Sequence, residues 1–154
     1  MVFLIYYGIG WIVGLAAAFI TASTRDVASA AHTFLLWHLV VTVGLTGLLS
    51  SYMHIFKGEQ IAKSIGWAPG SLFQVELGYC CLGMGLLGVM CYWIRDQFWL
   101  ATIVFTTIFL VGAALVHMRE MVQKKNFKPG NALTTIPDFI IPITLFALWF
   151  MARR

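Results

Sequence analysis

Four ionisable side chains stand in otherwise apolar stretches of this sequence, and their types suit metal binding or proton transfer. Two are imidazoles and two are carboxylates, a ligand set that suits Zn, Fe or Mn. The same groups can take up and release protons. Two amides stand near them in sequence. The candidate pocket therefore consists of His54, Glu76, His117, Asp138, Gln74 and Asn131.

The elements that must position these residues are membrane helices. Of 154 residues, 60% are hydrophobic and 10% are charged, whereas a soluble domain has roughly 25% charged residues. Five apolar segments cover about residues 2–22, 31–56, 72–94, 98–118 and 134–152, each near the roughly 20 residues of a spanning helix. Because they lack strand-like alternation, we expect helices. The sequence predicts an all-α integral membrane protein, a single domain of about five transmembrane helices.

This topology predicts that the four ionisable groups lie in one leaflet. The second and fourth loops are on the same side of the bilayer. His54 and Glu76 flank the second loop, whereas His117 and Asp138 flank the fourth. The two loops also resemble each other, since each runs from a histidine through Pro-Gly to a carboxylate. Ionisable groups inside a membrane usually face a cavity or the bundle interior. We therefore expect a His/carboxylate pocket in one leaflet.

The basic residues predict an orientation. The side of the N-terminus carries six, which are Lys57, Lys63, Arg119, Lys124, Lys125 and Lys128; the other side carries four, which are Arg25, Arg95, Arg153 and Arg154. This bias favours an N-in, C-out arrangement, in what we expect to be a prokaryotic cytoplasmic membrane. The basic residues form no stripe with interleaved aromatics, so a nucleic-acid partner is not expected.

Ordinary helix physics offers competing explanations for some of these residues. Ser71 and Gln74 match a capping box at the start of the third segment. Asp138 stands at the third helical position if Thr135 is the N-cap, where a carboxylate is favourable. In the third segment, small residues form one stripe suited to helix packing, namely Gly78, Cys81, Gly85 and Gly88. Glu76 is on the opposite face, which is then expected to look towards the pocket.

A further histidine, His38, stands deep in the second segment beside Trp37. It is about 160° around the helix from His54, so the two cannot serve stacked cofactors on one face. We expect His38 to pair with a neighbouring helix.

The stretch GWAPGSLFQVELG, Gly66 to Gly78, with a later Gly130-Asn131, resembles an uncharacterised family of small prokaryotic polytopic membrane proteins. The family motif is G-W-x-x-G-S-P-F-Q-x-E-x-G. Leu72 replaces the usual proline, and Cys81 stands where the family often has asparagine. The resemblance implies a membrane location and draws attention to Gln74 and Glu76. It implies no substrate or cofactor.

These features lead to one main functional hypothesis and two alternatives. The pocket is expected to bind a metal ion, or to handle protons beside a lipid-soluble partner such as a quinone. Alternatively, the chain is an accessory subunit of a larger membrane complex, or a small transporter or channel that needs a homo-oligomer. The sequence leaves open whether the protein is an enzyme, since it contains no phosphate loop, dinucleotide fingerprint or nucleophile–base motif.

Overall fold

A computed structural model describes residues 2–21 and 27–153. The helices are α1 (Val2–Thr21), α2 (Val27–Trp37), α3 (Thr46–Ile65), α4 (Phe73–Met90), α5 (Gln97–Lys124), α6 (Pro129–Ala132) and α7 (Thr135–Ala152), with a π-helical segment, His38–Leu45, between α2 and α3. Within the described ranges there is no strand, and five helical stretches are long and apolar enough to cross a membrane. The predicted all-α membrane bundle is confirmed. The predicted end of the first segment, residue 22, and two of the basic residues used for the orientation, Arg25 and Arg154, fall outside the described residues.

Two helices continue further than their apolar segments. The second helical stretch runs from Val27 to Ile65 with a kink at Lys57, although its apolar segment ends near residue 56. The backbone departs from helical angles at Lys57, with φ −129° and ψ 22°. α5 likewise continues to Lys124 rather than 118. Hydropathy marks only the apolar turns, whereas polar residues such as Glu, Gln and Lys extend helices readily. The added turns carry both helices beyond the apolar region at the same end of the bundle.

α4 packs against α3 and the π-helical segment through glycines. A Cβ atom on Gly85 would lie 2.5 Å from the backbone nitrogen of Leu48, and one on Gly88 would lie 2.5 Å from that of Gly44. Such distances leave no room for a side chain, so the two backbones are in direct contact. The small-residue stripe predicted for this helix is therefore a packing surface, and it holds α4 tightly against the centre of the bundle.

The remaining helices surround the long central stretch. α7 packs against α2 and α5, whereas α1 packs mainly against α2 and the π-helical segment. α4 and α5 make few contacts with each other. A gap therefore remains between these two helices, bounded on its inner side by α3 and α7.

The second and fourth loops meet at one end of this gap. α3 ends in a Schellman motif, in which Gly66 has φ +82° and the Trp67 amide donates to the Ala62 carbonyl at 2.8 Å. This turn directs Trp67 back over the bundle. From the other loop, Nδ2 of Asn126 donates to the Ile65 carbonyl at 2.8 Å. The two loops thus close the same end of the molecule.

Candidate functional site

A cavity of about 530 Å³ fills the gap between α3, α4, α5 and α7. Most of the lining side chains are apolar, with contributions from Leu49, Phe73, Leu77, Phe109 and Leu110. The polar side chains that line it are Ser50, His54, Ser64, Trp67, His117, Thr134 and Asp138. No Lys or Arg is among the described residues that line it. The cavity combines an apolar body with polar groups from the helix ends beside the two loops, which is the usual composition of a small-molecule site.

His117 is held by Asn131, and this pair determines the form of its ring. Nδ1 of His117 lies 2.7 Å from Oδ1 of Asn131. The Asn131 amide nitrogen donates to the carbonyl oxygens of His117, at 3.1 Å, and Asn126, at 3.0 Å. A flipped amide would place its oxygen against both carbonyls, so the orientation is determined. Nδ1 of His117 must therefore donate its hydrogen to Asn131, so in the neutral form of the ring it is Nε2 that offers a lone pair.

His54 forms a similar pair with Gln74. Nδ1 of His54 lies 2.7 Å from Oε1 of Gln74, which is 7% exposed. No second hydrogen bond orients this amide among the described residues, so the pair does not by itself determine the ring form. His54 also lines a second, polar recess of about 410 Å³, bounded by residues 54–60, 70–72, 74 and 75 and containing Lys57 and Glu59. His54 is thus shared between the apolar cavity and the polar recess.

Two further polar atoms, both on residues that line the cavity, have no hydrogen-bond partner among the described residues. Asp138 is 2% exposed, and its Oδ2 makes no hydrogen bond to the described residues. Nε1 of Trp67 is likewise buried and unpaired within that part of the chain. The Trp67 ring centroid lies 5.7 Å from that of His117. Buried polar atoms are normally hydrogen-bonded, so these two unpaired atoms beside a cavity suggest that a ligand completes them.

Glu76, the carboxylate expected at the centre of the pocket, faces away from it. Its side chain is exposed, and it lines neither the cavity nor the polar recess. The physical reason is the glycine stripe of α4. Because this stripe packs on α3 and the π-helical segment, the opposite face, which includes the exposed Glu76, points away from those helices. The expectation that this face looks towards the pocket was wrong.

The predicted capping roles also differ from the structure. Ser71 accepts a hydrogen bond from the amide of Phe73 at 3.1 Å. The second half of the capping box is absent, because the Gln74 side chain turns to His54 instead. α7 begins at Thr135, so its N-cap is Thr134 rather than Thr135 as expected, and no side-chain hydrogen bond caps it. Capping therefore accounts for neither Gln74 nor Asp138.

The described residues do not form a metal site. Nowhere in residues 2–21 and 27–153 are three or more His, Cys, Asp or Glu side chains placed to hold one metal ion. His54, His117 and Asp138 line a common cavity without converging, and Glu76 is on the outer face. The geometry gives no support to the Zn, Fe or Mn hypothesis.

The two similar loops seen in the sequence are each associated with a histidine–amide hydrogen bond in the structure. Each loop connects a histidine to an amide rather than to a carboxylate: His54 to Gln74, and His117 to Asn131. Each connection contains the Pro-Gly pair. Position 130 has no room for a side chain, because a Cβ there would lie 2.6 Å from the Ser64 carbonyl oxygen. Sequence reasoning missed Trp67 as a lining residue, although its place directly after the helix-ending Gly66 was a usable signal.

His38 is separate from this site. Its Nδ1 lies 2.9 Å from Oγ1 of Thr42 on the same helical stretch, rather than bonding to a neighbouring helix as expected. The neighbouring helix contributes rings instead: the centroids of Tyr7 and Trp11 lie 5.4 Å and 4.8 Å from that of His38. His38 therefore belongs to the packing between α1 and the π-helical segment.

Comparison with known proteins identifies a family but no activity. The Family of unknown function (DUF6790) matches residues 1–154. No curated protein and no solved structure matches the chain.

Proposed function

Since the chain belongs to this family of unknown function, we propose a role from its geometry: it binds a lipid-soluble molecule, such as a quinone, in the cavity between α4 and α5. The observation that carries this proposal is the apolar cavity of about 530 Å³ with His54, His117 and Asp138 in its lining. Sites for small molecules typically have volumes of roughly 300–1,000 Å³ and a few polar groups that orient the ligand.

The lining indicates how the molecule would lie. The apolar side chains of Leu49, Leu77 and Phe109 would contact its hydrocarbon part, where burial in protein or lipid costs little. Its polar head would lie beside His117 and Asp138, whose polar atoms can replace hydrogen bonds lost on leaving the membrane surface. The ligand would therefore lie with its head towards the loops and its tail towards the bundle interior.

A second candidate, proton handling at the same site, is favoured by the position of His54. This side chain lines both the apolar cavity and the polar recess that contains Lys57 and Glu59. Imidazole binds and releases protons near neutral pH. His54 could therefore exchange protons between the head of a bound molecule and the membrane surface.

We place the loop end of the cavity in the cytoplasmic leaflet of a prokaryotic membrane. The support is the excess of basic residues in the second and fourth loops and in the helix ends that flank them. A cysteine introduced at exposed Ser71 would react with a membrane-impermeant maleimide only in inverted vesicles. Labelling in intact cells would show that the protein has the opposite orientation.

The binding proposal can be tested by filling the cavity from a position that tolerates a side chain. Gly112 lines the cavity, and a Cβ there would meet no atom within 4 Å. Gly83 on α4 has the same free space but does not line the cavity. Gly112→Leu is the test variant, and Gly83→Leu is the matched control.

Each protein would be purified in a mild detergent, extracted with organic solvent and analysed by mass spectrometry. We expect a lipophile in wild type and Gly83→Leu, with roughly tenfold less in Gly112→Leu, because the leucine and the ligand would compete for the same space at a cost of about 1–3 kcal/mol. Equal amounts of every extracted lipid in all three proteins would refute the cavity as the binding site.

A further inference from the structure

We infer that the head of the bound molecule is a neutral hydroxyl group, so that the ligand class is a lipophilic alcohol or phenol, including the quinol rather than the quinone form. This inference rests on the proposed binding function. It goes further because it uses the hydrogen-bonding capacity of individual atoms at the cavity rather than the cavity itself.

The acceptor in the cavity is Nε2 of His117. The Asn131 amide is oriented by its two bonds to backbone carbonyls, and it accepts from Nδ1 of His117. Asn131 is 0% exposed, so water does not compete for these bonds. Since Nδ1 donates to Asn131, Nε2 offers a lone pair and no hydrogen whenever the ring is neutral, which is the form that the inference requires. A ligand head that bonds to this nitrogen must donate a hydrogen.

Trp67 lines the same cavity, and its Nε1 is a donor. An indole nitrogen can only donate. This one is buried without a partner among the described residues, on a ring whose centroid is 5.7 Å from that of His117. A ligand head that satisfies Trp67 must accept a hydrogen bond, and a head that satisfies both residues must donate and accept.

A hydroxyl group both donates and accepts, which few other lipid head groups do. An ether or a quinone carbonyl can only accept, and an ammonium group can only donate. The unpaired Oδ2 of Asp138 is compatible with a hydroxyl whether the carboxyl is ionised or protonated. A carboxylate or phosphate head would need a cation, and no Lys or Arg is found in the described lining.

The test compares four probes that share one twelve-carbon chain: 1-dodecanol, 1-methoxydodecane, dodecylamine and dodecanoate. Protein labelled with ¹⁵N-histidine is reconstituted in nanodiscs and titrated with each probe, and the imidazole nitrogen shifts are recorded. His→Ala variants assign the signals. Before any addition, His117 should show the form with its proton on Nδ1. Dodecanol should then shift the Nε2 signal of His117 at saturation.

We expect dodecanol to bind about tenfold more tightly than the methyl ether, because the ether leaves Nε2 without a donor. His117→Phe, which keeps a ring and removes the acceptor, should bind the two equally. If this variant does not fold, the comparison of dodecanol with the methyl ether in wild type still tests the inference.

Each other outcome has a defined meaning. Equal binding of alcohol and ether, or tighter binding of the amine or the carboxylate, would overturn the hydroxyl inference and leave the binding function standing. A proton on Nε2 of His117 would also overturn it. If no probe saturates any histidine signal, both the inference and the proposed function fail.

Discussion

The ring of Trp67 packs beside the ring of His117, with centroids 5.7 Å apart and planes inclined by 37°, although 50 residues separate them in sequence. This contact joins the loop that follows α3 to the end of α5. Both residues line the cavity, as do Gly130 and Thr134 from the connection before α7, so the two loops are part of the site rather than passive connections. Disturbing either loop should therefore affect both stability and binding.

Replacing Asn131 by alanine should destabilise the bundle by about 2–4 kcal/mol. The change removes one hydrogen bond to Nδ1 of His117 and two to backbone carbonyls in a fully buried place, and each unsatisfied buried group costs roughly 1–3 kcal/mol. The measurement is unfolding of the purified protein by titration with sodium dodecyl sulfate.

Gln123→Ala is the control for this experiment, since the side chain of Gln123 accepts an exposed hydrogen bond from Arg119. Its effect should stay below about 0.5 kcal/mol. Equal effects of the two substitutions would contradict the assigned role of Asn131.

Gly85→Ala and Gly83→Ala, two residues apart on α4, should have opposite effects. A Cβ on Gly85 meets the backbone of Leu48 at 2.5 Å, whereas one on Gly83 meets nothing within 4 Å. We expect Gly85→Ala to destabilise by about 1–3 kcal/mol through forced separation of the helices. Gly83→Ala should stabilise by about 0.5–1 kcal/mol through its better helix propensity. The same unfolding titration reports both, and the reverse order would argue against the α3–α4 packing.

Glu76→Gln should leave ligand binding unchanged, and Asp138→Asn should not. Glu76 is exposed outside the cavity, whereas Asp138 lines it with an unpaired oxygen. In the dodecanol titration, we expect an affinity change of less than about twofold for Glu76→Gln, as for other surface substitutions. Asp138→Asn should change the affinity for dodecanol by about tenfold, because it alters a hydrogen-bonding atom beside the head group of the ligand. A larger effect at Glu76 than at Asp138 would place the site on the outer face of α4.

Carbethoxylation should distinguish His54 from His38. A water-soluble reagent such as diethyl pyrocarbonate can reach His54 through the polar recess, whereas His38 is 1% exposed and enclosed by Tyr7 and Trp11. Peptide mass spectrometry should therefore find modified His54 well before modified His38. Modification of both at the same rate would remove the support for proton exchange through His54.

The helices and the end at which the polar residues gather were predictable from sequence, for simple physical reasons. Apolar length determines which segments span the membrane, and the Pro-Gly loops place His54 and His117 at the same end. The polar turns after residue 56 were not predictable, because hydropathy does not register helical residues outside the apolar region.

The direction in which each face of α4 points was harder to predict. Periodicity separated the glycine stripe from the Glu76 stripe, but it contains no information on which neighbours lie beyond each face. The partners of the two histidines also required the structure. The partner of a buried amide depends on which groups the fold brings beside it. Gln74 and Asn131 were therefore recognisable from sequence as polar candidates, but their hydrogen bonds to His54 and His117 were not.

Photo-crosslinking directly tests whether a lipophile binds in the cavity between α4 and α5, since it locates a bound molecule inside the protein. The probe is a twelve-carbon alcohol with a diazirine in its chain, added to wild type, Gly112→Leu and Gly83→Leu in nanodiscs. We expect labelled peptides from α5 near Gly112 and from α3 near Ser50, with labelling reduced roughly tenfold in Gly112→Leu and retained in Gly83→Leu. Labelling confined to lipid-exposed residues such as Phe19 and Ile20 of α1, which are 87% and 81% exposed, with no difference among the three proteins, would contradict it.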